Sequence, residues 1–139
     1  MDANILVAAY LRDSTIRRIV TLAGLHLLVP DYIFEEFEKH RPELALRTGL
    51  GEEEAARLLE RLRRHLMVVP SELASEKLAE AKAIMKHIDE RDAAYVATAL
   101  SVACDGTWSD DPHLKEQRAV RCLTTRELLD ALRSDGVRF

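Results

Sequence analysis

The amino-acid sequence predicts an α/β fold in three layers, with a short, mostly parallel central sheet flanked by helices. Short apolar runs closed by proline or turn residues recur along the chain. The segments between them carry apolar residues at helical spacing. Glycine and proline are scarce, at 5 and 4 of 139 residues, so helix is expected to exceed strand.

Residues 4–22 show mixed helical spacing, with Asp13, Ser14 and Thr15 as a break and new cap. Residues 25–29 form a short apolar run closed by Pro30, which suits a buried strand. Asp31 is placed to cap a helix over 32–40, where Ile33, Phe34 and Phe37 share a face. Pro42 opens another short helix that ends near Thr48 and Gly49. Residues 51–65 are strongly amphipathic, with acids in the first turn and bases in the last, as the helix dipole prefers.

Residues 66–69, closed by Pro70, predict a second strand, and 72–87 a helix rich in Ala, Glu and Lys. The helix predicted over 90–103 is apolar on almost every side, hence buried. Residues 107–109 are a short strand ahead of the turn at Asp110, Asp111 and Pro112, and 119–123 are another strand. Thr124 and Glu127 then make a capping-box pattern that opens the last helix. With no linker or repeat in view, residues 1–139 read as one domain. Asp2 belongs at the end of a first, central strand, yet only Met1 precedes it. Either that strand is truncated or the chain as given begins late.

Composition narrows the function classes. Hydrophobic residues make up 47% and charged residues 32%, the balance of a folded globular protein. No apolar run reaches the length of a membrane span and no secretory signal is visible, so a cytoplasmic address is expected. A net charge of −4 argues against a nonspecific nucleic-acid coat protein but is compatible with an acidic, cation-binding cleft. Cys104 and Cys122 lack metal-ligand spacing and are expected as buried thiols.

The acids carry the functional signal. Asp111 before Pro112 has the pattern of an N-cap, and Asp89 and Asp92 that of the first turn of the apolar helix. Glu36 lies beside Phe37 and is a better candidate than Glu35 for an inward edge. Each has an ordinary explanation alone. Together, Asp2, Asp92 and Asp111 fall at strand ends, where a parallel sheet gathers its working loops. Acids clustered without His or Cys suit a hard divalent cation.

Four stretches, DANILVAAYL, VPDYIFEEFEKH, HIDERDAAYVATAL and GTWSDDPHL, resemble PIN-domain ribonucleases of the VapC-like toxin kind over nearly the whole chain. The resemblance implies a PIN-like sandwich and hydrolysis of RNA phosphodiesters with Mg2+ or Mn2+. Its acids map onto Asp2, Glu36, Asp92 and Asp111, with Asp2, Asp92 and Asp111 as the metal-holding set. Asp89, Asp110, Asn4 and Ser109 fall at accessory positions. The resemblance also implies a toxin of a toxin–antitoxin pair, a small antitoxin partner and a homodimer. Two features depart from the family pattern: the apolar strand before Asp2 is missing, and Ala3 stands where threonine is common.

The basic residues Arg57, Arg61, Arg63 and Arg64, and a second group at Arg12, Arg17 and Arg18, read either as solvated helix surface or as a phosphate-contacting rim. Arg12, Arg61 and Arg64 are the RNA-binding candidates. Trp108 is expected in the core, and His113 is not expected to join the site. A catalytically idle PIN fold used for RNA binding or assembly is the competing function. A phosphatase-like or receiver-like domain would need a nucleophilic DxD aspartate or a lysine after a strand, and neither is evident.

Overall fold

The computed structural model describes residues 1–12 and 14–138, so Asp13 of the predicted break lies outside the described residues. The chain opens with helices α1 (Ala3–Leu11) and α2 (Thr15–Val20), followed by strand β1 (Leu27–Pro30). Helices α3 (Tyr32–Lys39), α4 (Arg41–Thr48) and α5 (Glu52–Arg63) lead to β2 (Leu66–Val69), then α6 (Ser71–Met85). A 3-10 turn at Glu90–Asp92 precedes α7 (Ala93–Ser101), and β3 (Thr107–Trp108), α8 (Pro112–Glu116), β4 (Cys122–Leu123) and α9 (Thr125–Ser134) complete the chain.

Every strand pair is parallel: β1 lies on β2 and β3 on β4. The two pairs meet through the first two residues. The Met1 nitrogen donates to the Leu28 carbonyl at 3.2 Å, and the Asp2 amide donates to the Trp108 carbonyl at 3.3 Å. Residues 1 and 2 thus lie between β1 and β3 and carry the hydrogen bonding across the layer.

Apolar side chains gather in two clusters. The larger one joins Ile5, Leu6, Ile19, Val29, Ile33, Phe37 and Leu62 with the inner faces of α5 and α9. The smaller one packs Ala81 and Met85 of α6 against Ala93, Val96 and Ala97 of α7 and Leu114 of α8. Helix α7 serves both, because it also sends Tyr95 into the larger cluster. This accounts for its nearly uninterrupted apolar sequence. Among the described residues no helix is long and apolar enough to cross a membrane.

Local chemistry explains the element ends. Arg17 turns inward and donates from Nε to the Ala9 carbonyl (2.6 Å) and from Nη2 to the Tyr10 carbonyl (2.8 Å), closing the end of α1. Thr124 and Glu127 form the predicted capping box at α9. Three expectations need correction. Asp31 starts α3 in helical backbone conformation and makes no side-chain cap bond. The strand expected over 119–123 shrinks to two residues, because the buried Gln117 amide donates to the Leu114 and Val120 carbonyls and accepts from the Val120 amide. That side chain holds residues 117–120 in a turn. Cys104 is exposed and Cys122 half-buried, so neither is the fully buried thiol expected.

Gly106 sets the path into β3. Its φ is +150°, and a Cβ there would stand 2.7 Å from the Arg121 carbonyl oxygen. Gly106→Ala should therefore lower the free energy of urea unfolding by about 1–3 kcal/mol. Gly51→Ala, with open space around its Cβ position, should change it by less than about 1 kcal/mol.

Candidate functional site

The predicted acids reach one end of the sheet from four different segments. Asp2 follows the two-residue bridge between β1 and β3 and caps α1, its Oδ1 accepting from the Ile5 amide at 3.1 Å. It is only 4% exposed. Ser109, fully buried just after β3, donates its hydroxyl to Asp2 Oδ2. The same oxygen of Ser109 accepts from the Asp111 amide at 3.0 Å. One hydroxyl thus ties the amino-terminal acid to the turn that carries Asp111.

Asp111 caps α8 with Pro112 in the first turn, its Oδ1 accepting from the His113 amide at 2.9 Å. Asp92 ends the 3-10 turn that leads into α7. Asp89 caps that turn through the Arg91 amide (3.0 Å) and also accepts from Nε and Nη2 of Arg91 at 3.0 Å each. Those bonds to Arg91 hold the Asp89 carboxyl below its ordinary pKa. Glu36 stands half-buried on α3, where its Oε1 accepts from the Tyr95 hydroxyl at 2.9 Å.

The electrostatics centre on Asp92. Burial first, and then the negative charges of Asp111, Asp89, Asp2 and Glu36, push its carboxyl up to about 7. Its Oδ2 is buried without a hydrogen-bond partner. Asp2 is also raised by burial, against the lowering effect of its bonds from Ser109 and Ile5. Among the described residues no three or more His, Cys, Asp or Glu side chains are arranged as a ready-made metal cage. The donor set nonetheless fits a hard cation: it is all oxygen, and Mg2+ characteristically takes one or two carboxylates and fills its remaining positions with water. The partnerless Asp92 oxygen is the atom that such an ion would satisfy.

The accessory positions divide. Ser109 and Asp89 hold the acids, as described. Asp110 turns to α9 instead, where its carboxylate accepts from the Thr125 amide (2.7 Å) and hydroxyl (2.6 Å). Asn4 is exposed on the first turn of α1. Arg12, Arg61 and Arg64 are exposed, and among the described residues no ion pair joins them to Asp2, Glu36, Asp92 or Asp111. Arg64 lies 4.0 Å from Glu60 on its own helix.

Three neighbours of the acids were not foreseen in the sequence. Arg91 acts electrostatically on both Asp92 and Glu36. His113, not expected at the site, brings Nδ1 to 3.5 Å from Asp111 and 3.8 Å from Asp89. Tyr95 was readable in principle, since it sits three residues after Asp92 and so on the same side of the helix.

A family model described as PIN domain matches residues 1–133. No curated protein and no solved structure matches the chain.

An acid that the fold keeps protonated binds more protons folded than unfolded between its two pKa values. For Asp92 these are about 4 when unfolded and about 7 when folded. The stability of the metal-free protein must then fall as pH rises across that interval, and Asp2 adds to the fall. Asp92→Asn should melt several degrees above wild type at pH 8 in EDTA, with the two curves converging only below about pH 4. Equal melting temperatures at pH 8 would contradict this electrostatic account.

Proposed function

The chain belongs to the PIN-domain family, a nuclease-type fold, and from that premise we propose that it is an endoribonuclease using Mg2+ or Mn2+ held by Asp2, Asp92 and Asp111. The observation that carries the reading is the buried, partnerless Oδ2 of Asp92, set among the charges of Asp111, Asp89, Asp2 and Glu36. A carboxylate oxygen so placed needs a counter-charge. An ion with hard-oxygen preference supplies it without any His or Cys ligand.

When bound, the cation lowers the pKa of a coordinated water and neutralises charge developing on the phosphodiester. The protein's own groups have distinct tasks. Asp92 contributes its free oxygen and must lose its proton to do so. Asp2 is the most rigid member, with a donor on each oxygen. Asp111 joins from the head of α8, oriented by the bond from its amide to Ser109. Glu36, whose charge reaches Asp92, joins the cation's oxygen shell or positions the attacking water. Ser109 and Asp89 act through the acids they hold, and Arg12, Arg61 and Arg64 give the RNA backbone an exposed basic approach.

RNA as the polymer, the toxin role with its small antitoxin, and a homodimer belong to the same reading and rest on the family resemblance. The alternative of an idle fold used in binding or assembly predicts no cation affinity.

Cleavage of a single-stranded RNA in Mn2+ should stop on addition of EDTA. Asp92→Asn and Asp111→Asn should each lower the rate by at least about 100-fold, with circular dichroism unchanged. An Asp92→Asn protein that cleaves at the wild-type rate overturns the assignment. A wild-type protein that binds no Mn2+ by calorimetry points to the idle fold.

A further inference from the structure

We propose that Tyr95 is a positioning residue of the acidic site, its buried hydroxyl fixing the Glu36 carboxylate against the helix that Asp92 heads. This deepens the reading above and rests on it. The bond from the Tyr95 hydroxyl to Glu36 Oε1 is 2.9 Å long and spans 59 residues of sequence. Tyr95 is only 3% exposed, and its ring is held in the larger apolar cluster. The hydroxyl is therefore aimed by packing and not by its partner.

Glu36 needs such an anchor. Its side chain is long and only half-buried on α3, and holding one rotamer costs side-chain entropy. Among the described residues no ion pair fixes it. The bond to Tyr95 engages Oε1, and the same carboxylate interacts electrostatically with Tyr32 on its own helix. Burial, and then Glu36 itself, hold the Tyr95 hydroxyl protonated, so it acts as a donor at any working pH. The phenol oxygen thus meets the side chain of Glu36 from a helix whose first residue follows Asp92. Tyr32, four residues before Glu36, packs a tilted ring on Tyr95 with centroids 6.4 Å apart.

A buried tyrosine with a satisfied hydroxyl can also serve packing alone, and a double-mutant cycle separates the two roles. Mn2+ affinity is measured by calorimetry on the full chain for wild type, Tyr95→Phe, Glu36→Ala and the double variant, well below each melting temperature. Tyr95→Phe should weaken Mn2+ binding about 10-fold and should add nothing in the Glu36→Ala background. Equal affinity in Tyr95→Phe and wild type overturns the assignment and leaves the metal reading standing. So does an equal loss with and without Glu36, which marks a packing role. A wild-type chain without Mn2+ affinity overturns the metal reading, and the Tyr95 role falls with it. A second measurement covers a Tyr95→Phe chain that fails to fold. The Cζ resonance of Tyr95 in the wild-type chain should shift in the NMR spectrum on titration with Mg2+, and an unmoved resonance in a chain that binds Mg2+ overturns the proposal.

Discussion

The carboxylate of Asp2 is the group on which the rest of the arrangement depends. It caps α1 through Ile5 and receives the Ser109 hydroxyl, and beside it the Met1 ammonium donates to β1 and its own amide to β3. A carboxylate this deeply buried is tolerated only because both oxygens have donors. The same bonds fasten the strand that ends in Trp108, and through Ser109 they orient the turn of Asp111. Fold and site therefore share one set of hydrogen bonds. Loosening Asp2 would part the two strand pairs as well as open the acidic cluster.

Around that anchor the protein concentrates negative charge that it does not fully compensate. Arg91 is spent on Asp89, and its influence reaches Asp92 only through space. Asp92 meets the excess by retaining a proton up to near-neutral pH. Such a cluster lowers stability in exchange for readiness to take up a cation, the familiar tension between a stable fold and a working site. Bonds from Ser109, Tyr95 and the Ile5 amide limit the loss by giving the remaining carboxylates fixed donors.

Much of the architecture could be read directly from sequence where the determinant is local. The proline after Asp111, the Thr124–Glu127 box and the graded charge of α5 each encode a helix end within a few residues, and each appears in the structure. Of the acids expected at strand ends, only Asp111 lies just past a strand, β3, whereas Asp92 follows α6 and the 3-10 turn and Asp2 directly precedes α1. What escaped depends on contacts between distant segments. Nothing near Tyr95 indicates that its hydroxyl meets Glu36, and nothing near Asp110 indicates that it will turn to Thr125. The 119–123 strand was misjudged because a pattern of apolar residues does not register a glutamine amide that folds back on its own backbone. Cys104 followed composition into the core, whereas the chain leaves α7 there and carries the thiol to the surface.

Trp108 is the chain's only tryptophan, and its surroundings make it more than a core residue. It is 4% exposed, its carbonyl receives the Asp2 amide, and its indole Nε1 donates to Thr125 Oγ1 at 3.0 Å, the hydroxyl that also binds Asp110. The indole therefore sits at the junction of the amino-terminal bridge, the Ser109 turn and the start of α9. Its emission is an optical reporter built into the molecule, free of background from any second indole. A red shift would register solvent reaching that junction, so fluorescence can follow the opening of the site's foundation separately from melting of the helices.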